Sequence, residues 1–214
     1  MTRIISGTAG GRRLRTPPGD LTRPTSDRVR EALFSALTSE FGSLSGLRFL
    51  DLFAGSGAVG LEALSRGAAA VTLVDSDRRA AATAAENARM LGFAQARVLQ
   101  RPVAAVLAST PAAAGSLVDV EVASGAYDIA FLDPPYALAD DELHELLEAL
   151  VERGWLSPGA LVVVERSKRS KAPDWPEGIV LDTRANYGET TLWYGRAVAD
   201  PGRTQPGNGL TSGD

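Results

Sequence analysis

Leu47-Arg48-Phe49-Leu50-Asp51-Leu52-Phe53-Ala54-Gly55-Ser56-Gly57-Ala58-Val59-Gly60 decides the fold of this 214-residue chain. Its first half is a short apolar run carrying one carboxylate, the pattern of a strand buried on both faces. Its second half spaces glycines as Gly55-x-Gly57-x-x-Gly60 and runs directly into a helical pattern. Glycine lets the backbone take positive φ and approach a ligand closely, and the helix that follows turns free N–H groups toward it. Strand, glycine turn and helix in that order open a doubly wound sheet with a nucleoside-binding crevice.

Working outward, strands and helices alternate. Downstream, helical patterns cover 57–67, 78–91 (closed by Gly92), 103–108 and 140–153; strand patterns cover 69–75, 95–101, 127–133 and 160–165. Two further strands, 179–183 and 190–195, close the body. Such alternation predicts an α/β domain over 25–198, a mostly parallel Rossmann-like sheet with helices on both faces. Ligands then bind at the carboxyl ends of the strands. Asp51, Phe53, Ala54, Gly55, Ser56 and Gly57 lie at the first such end. Asp75 lies at the second, where an acid can take both ribose hydroxyls. A nicotinamide-dependent oxidoreductase would put a pyrophosphate on this loop. Asp51, four residues before Gly55, repels phosphate and attracts an ammonium group, which favours S-adenosylmethionine.

The fourth strand runs into Asp133-Pro134-Pro135-Tyr136. An exocyclic amine on a nucleobase is a poor nucleophile, because its lone pair is delocalised into the ring. Methylating it calls for two acceptors that hold its hydrogens and aim the lone pair at the methyl carbon. Asp133 offers a side-chain oxygen, Pro134 a backbone carbonyl, and the Pro-Pro step fixes φ. Tyr136 offers a stacking face for a base taken out of its helical stack. Asp133 also borders the cofactor.

Upstream, residues 1–30 hold seven arginines against two acids, although the whole chain carries a net charge of -4. Residues 1–24 read as a basic, hairpin-like arm whose Gly- and Pro-rich sequence contributes little core. Thr25-Ser26-Asp27 caps a helix over 28–37. The asymmetry points to a polyanion met by one face. Arg3, Arg12, Arg13, Arg15 and Arg23 of the arm are candidate RNA contacts, since the guanidinium fork suits phosphate. Arg166, Lys168 and Arg169, read as a loop after the fifth strand, are a second candidate RNA surface. Residues 186–190 read as a turn that borders the substrate base. Residues 109–125 read as a surface insertion and 199–214 as a disordered tail.

The motifs Asp51-Leu52-Phe53-Ala54-Gly55-Ser56-Gly57 and Asp133-Pro134-Pro135-Tyr136 resemble those of class I S-adenosylmethionine methyltransferases that modify exocyclic amines. Arg3-Ile4-Ile5-Ser6-Gly7, Gly11-Arg12-Arg13-Leu14 and the run from Thr22 to Phe34 are similar to one branch, the RsmD-type small-subunit ribosomal RNA guanine-N2 methyltransferases. The resemblance spans about residues 3–196. It implies a sheet with a reversed last strand, cofactor contacts from Asp51 to Gly57 and at Asp75, and base contacts from Asp133 to Tyr136. It implies ribosomal RNA, or an assembling small ribosomal subunit, as partner. The chain departs from the family pattern at Pro102, where an acidic or amide residue usually stands near the adenine.

Composition narrows the alternatives. With no cysteine there is no thiolate nucleophile, disulfide or cysteine metal site, and carbon-5 methylation of cytosine through a thiolate adduct is excluded. The one histidine, His144, reads as a surface residue on a helix and no metal site is expected. No apolar run approaches membrane-spanning length and the start lacks a secretory h-region, so a cytoplasmic monomer is expected. An adenine-N6 nucleic-acid methyltransferase remains the main competitor, because Asp-Pro-Pro-Tyr does not itself choose the base. A non-catalytic RNA-binding module would leave the nucleoside pocket unexplained.

Overall fold

The computed structural model describes residues 2–17, 26–111 and 126–198. The elements are α1 (Asp27–Phe41), β1 (Arg48–Leu52), α2 (Ala58–Ser65), β2 (Ala70–Asp75), α3 (Arg78–Leu91), β3 (Ala96–Gln100), α4 (Val103–Leu107), β4 (Tyr127–Leu132), α5 (Asp140–Glu152), β5 (Leu156–Ser167), β6 (Ile179–Tyr187) and β7 (Thr190–Ala197). They build one seven-stranded sheet in the order β3-β2-β1-β4-β5-β7-β6. Strands β1 to β5 run parallel, and β7 is antiparallel to both β5 and β6. The order reverses between β1 and β4, so a crevice opens there at the carboxyl edge.

Alternation along the central strands feeds two cores. Phe49, Ile129, Phe131, Leu161 and Val163 face one side of the sheet, where they meet Leu33, Phe34 and Leu37 of α1 and the apolar stripes of α2 and α3. Leu50, Leu52, Ala130, Leu132, Val162 and Val164 face the other side, against α4, α5 and Trp155. Ser26 caps α1, its Oγ accepting the Val29 N–H at 3.3 Å. Gly92 closes α3 with φ +76°, as its sequence position predicts.

Several boundaries differ from the sequence reading, and helix α1 runs on to Phe41, four residues beyond its expected end. Strand β5 begins at Leu156, because Pro158-Gly159 sits in a register shift between Tyr127 and Ile129 and does not end the strand. Strand β6 extends to Tyr187, so the turn is confined to Gly188-Glu189. Arg166 lies inside β5 and not in the loop after it. Arg23 and the calls on residues 112–125 and 199–214 lie outside the described residues.

The arm is a hairpin, and it is part of the body. Ile4 N–H donates to Arg12 O, Gly11 N–H to Ile4 O and Leu14 N–H to Thr2 O, all within 2.9 Å. The expectation that it contributes little core is corrected: Ile4, Ala9 and Leu14 are buried among residues of α1 and α2. Its backbone is also pinned to α2. The fully buried Glu62 accepts the Ile5 N–H at 2.6 Å and the Ser6 N–H at 3.0 Å. Ser65 accepts Thr8 N–H on its carbonyl at 2.7 Å and Ala9 N–H on Oγ at 2.9 Å. The charge of Glu62 is balanced by the Arg66 guanidinium at 2.8 Å. A buried carboxylate that takes two N–H groups and an arginine is fully used, so its desolvation is offset.

Candidate active site

The glycine loop is shaped from behind by two carboxylates. Asp75, at the end of β2, accepts the Gly55 N–H on one oxygen and the Asp77 N–H on the other, each at 2.8 Å. Asp51 accepts the Gly60 N–H at 2.8 Å. Between them the chain reverses through Phe53, the one described non-glycine residue with positive φ, at +64°. Gly55 (φ +55°) has open space where a Cβ would stand, so its backbone can lie against a ligand. Gly60 packs instead: a Cβ there would come within 2.4 Å of Leu73.

Asp51 is only 1% exposed. It therefore acts first on the protein, setting the loop from behind. Burial pushes its carboxyl up to about 8, the Gly60 N–H opposes that, and the nearby Asp133 and Asp75 add to it. Three carboxyls thus converge behind and beside the loop.

The fourth-strand motif sits one strand away. Pro134 is buried, Asp133 half-buried, and Tyr136 81% exposed, leaving its ring face open for stacking. Asp133 to Ala137 form one wall of a groove of about 740 Å³. Ser26, Arg28 and Val29 at the start of α1 form another, and Glu165 with Tyr187 to Thr190 closes the far side. The predicted bordering segment 186–190 thus reaches the groove through its last four residues.

The basic residues are dispersed. Arg3 lies 3.8 Å from Asp27, next to the groove. Arg12 donates to the Met90 carbonyl and Arg15 pairs with Glu86, so both side chains rest on α3. Arg13 is exposed on the hairpin. Lys168 and Arg169 are exposed beyond β5. Arg166 is held by Asp140 at 2.8 Å, with its side chain 9% exposed. His144 lies on α5, away from the groove, with its Nδ1 2.9 Å from the Asp174 carbonyl.

The family described as Conserved hypothetical protein 95 matches residues 2–196. Ribosomal RNA small subunit methyltransferase D of Escherichia coli K12 is 38% identical over 176 residues, covering 81% of this chain and 79% of that protein.

The chain belongs to the RsmD family of class I methyltransferases.

The protein of the same name from Haemophilus influenzae is 35% identical over 170 residues, covering 78% of this chain and 79% of its own. A solved methyltransferase structure from Escherichia coli superposes with a TM-score of 0.77 at 32% identity, covering 93% of this chain and 99% of that one.

Sequence reasoning missed one residue of this RsmD-family site. Asn87 is fully buried on α3. Its Nδ2 donates to the Ser56 carbonyl in the glycine loop at 2.9 Å and to the Arg15 carbonyl at 3.0 Å. Its Oδ1 accepts the Arg15 N–H at 2.9 Å. One amide therefore ties the hairpin to the glycine loop. Its signal in the sequence was a lone amide in the stripe Ala80, Ala84, Asn87, Ala88, Leu91.

The raised Asp51 gives a pH prediction. Its pKa rises from 3.8 to about 8 on folding. Across that window the folded protein keeps a proton that the unfolded chain has released, so stability falls as pH rises. Asp51→Asn removes the titration and keeps an oxygen for Gly60. The melting temperature of Asp51→Asn is expected to exceed that of the wild type most at about pH 8, with the gap narrowing toward about pH 5. A gap that does not vary with pH would show that Asp51 does not titrate there.

Proposed function

We propose that this protein transfers a methyl group from S-adenosylmethionine to the exocyclic N2 amine of a guanine in small-subunit ribosomal RNA. The observation that carries the reading is the placement of Asp133-Pro134, with the exposed Tyr136, one strand from the glycine loop in an open groove. The printed names of the relatives, ribosomal RNA small subunit methyltransferases, support the substrate class.

The residues suit the donor by their own chemistry. S-adenosylmethionine supplies an electrophilic methyl on a sulfonium and carries an ammonium, two cationic centres that the carboxyls of Asp75 and Asp133 complement, while Asp51 sets the loop from behind. The open face of Gly55 leaves room for close approach. Asp75 is the acid for the ribose hydroxyls. On the substrate side, Asp133 and the Pro134 carbonyl hold the two hydrogens of N2, so that its lone pair faces the methyl. Asp133 is also placed to take the proton that N2 must lose. Tyr136 stacks on the flipped base. Arg3, Arg12, Arg13, Arg15, Lys168 and Arg169 meet phosphates, with Arg23 as a further contact; Arg166, held by Asp140, supports the groove wall instead. These contacts hold the RNA without choosing its sequence.

Asp75→Ala is expected to weaken S-adenosylmethionine binding by roughly 10- to 100-fold, the worth of charge-assisted hydrogen bonds. The rate at saturating cofactor should change far less. Calorimetry with unchanged affinity would remove Asp75 from the site. The proposal as a whole is tested by incubating purified protein with S-adenosylmethionine and small-subunit ribosomal RNA that lacks the modification, then analysing nucleosides by mass spectrometry. N2-methylguanosine is expected. N6-methyladenosine in its place would assign the same chemistry to the other base.

A further inference from the structure

Asp133, Pro134 and Tyr136 hold and stack an amine-bearing base, but guanine and adenine both present such an amine. Something else in the groove must read the ring. Guanine carries a proton on N1, next to its amine, whereas adenine carries a lone pair at its N1. A carboxylate beside the amine site would accept the guanine N1–H and repel the adenine lone pair.

Glu165 is that carboxylate. The pairing of Leu132 with Val164 sets Asp133 and Glu165 side by side at the carboxyl edge of β4 and β5. Adjacent strands lie about 4.8 Å apart, so two side chains leaving neighbouring strands can converge on adjacent donors of one base edge. Both residues share the strand parity of Phe131 and Val163, which face the α1 side, where the groove opens. Asp133 and Glu165 also line together a small cavity of about 20 Å³ that shares Pro134, Tyr136 and Thr190 with the groove.

Another acid in the groove, Glu189, is exposed in the turn after β6. Water screens a charge placed there. Glu165 is only 9% exposed. A hydrogen bond to a carboxylate in such surroundings discriminates strongly, because a mismatched base leaves it buried against a lone pair.

We infer that Glu165 selects guanine by accepting its N1–H while Asp133 and the Pro134 carbonyl hold N2. The inference rests on the guanine-N2 reading above and assigns its base specificity to one side chain. Glu165→Gln keeps the shape and can still accept, but it removes the charge and adds a donor that tolerates the adenine lone pair.

The test uses full-length wild type and Glu165→Gln, with Glu165→Ala as a second variant where it folds. Three readouts are taken: methylation of small-subunit ribosomal RNA, affinity for S-adenosylmethionine, and inhibition by millimolar guanosine or 1-methylguanosine, which lacks the N1–H. Wild type is expected to be inhibited more by guanosine than by 1-methylguanosine. Glu165→Gln should weaken that preference and lower kcat/KM for RNA roughly 10- to 100-fold, with cofactor affinity unchanged. A residue that only packed the strand would not alter the ratio between the two nucleosides. Wild-type kcat/KM or an undiminished preference in Glu165→Gln would overturn the inference, and so would an equal loss of cofactor affinity. If wild type itself leaves no N2-methylguanosine, the underlying guanine reading has failed, a result that separates the two claims.

Discussion

Asp133→Ala is expected to lower methyl transfer by about a hundredfold while affinity for S-adenosylmethionine stays within a few-fold. The residue acts where the reaction changes charge: its oxygen holds an amine hydrogen more strongly as the nitrogen becomes cationic. An interaction that strengthens only in the transition state lowers the rate and not the binding. Losing one positioned acceptor of this kind costs on the order of 3 kcal/mol, which is the hundredfold. Removing Asp133 also relieves Asp51 of a like-charged neighbour, so the fold should not suffer. Single-turnover rates beside cofactor titrations check this. Near-normal turnover would take Asp133 out of the chemistry.

Gly7→Ala is expected to undock the N-terminal hairpin and weaken cofactor binding at a distance. Gly7 has φ +82°, and a Cβ there would stand 1.8 Å from the Ser65 carbonyl oxygen. That neighbour is the backbone of α2, which cannot rotate away. Positive φ costs alanine about 1–2 kcal/mol and overpacking adds about 1–3. The total, on the order of 3 kcal/mol, should lower the melting temperature by roughly 10 °C if the body unfolds cooperatively. Amides of Ile4, Gly11 and Leu14 should lose hydrogen-exchange protection. Arg15 would then release Asn87, and with it the hold on the Ser56 carbonyl. Cofactor affinity should fall although no cofactor contact has changed. An arm that contributed little core would be dispensable for the fold and for cofactor binding; Glu62, Ser65 and Asn87 argue the opposite. Intact protection together with unchanged affinity would show that the hairpin and loop are independent.

The parallel core was legible because it obeys local rules. Leu50 to Phe53 followed by Gly55-x-Gly57-x-x-Gly60 can do little else, and Gly92 and Ser26 mark helix ends by their own chemistry. Asp133 to Tyr136 was legible because the chemistry of an amine calls for those groups. What escaped was long-range. Glu62 and Ser65 look like ordinary surface residues of α2 until the hairpin, about 57 residues earlier in the chain, lies over them. Asn87 has no meaning without Arg15, 72 residues away. Asp51 read only as a charge for the cofactor, because sequence shows position along a strand but not the depth that lets it hold the Gly60 N–H. Arg166 read as a loop residue because Lys168 to Lys171 look solvated, yet strand pairing to Thr191 carries β5 through it.

The central claim is that this chain methylates guanine N2 in small-subunit ribosomal RNA. Nucleoside mass spectrometry of that RNA, from cells lacking the protein and from the same cells complemented with wild type or Asp133→Ala, tests it most directly. One N2-methylguanosine per small subunit is expected to be lost on deletion, restored by wild type and not restored by Asp133→Ala. An unchanged N2-methylguanosine level, or the loss instead of 5-methylcytosine or N6-methyladenosine, would contradict it.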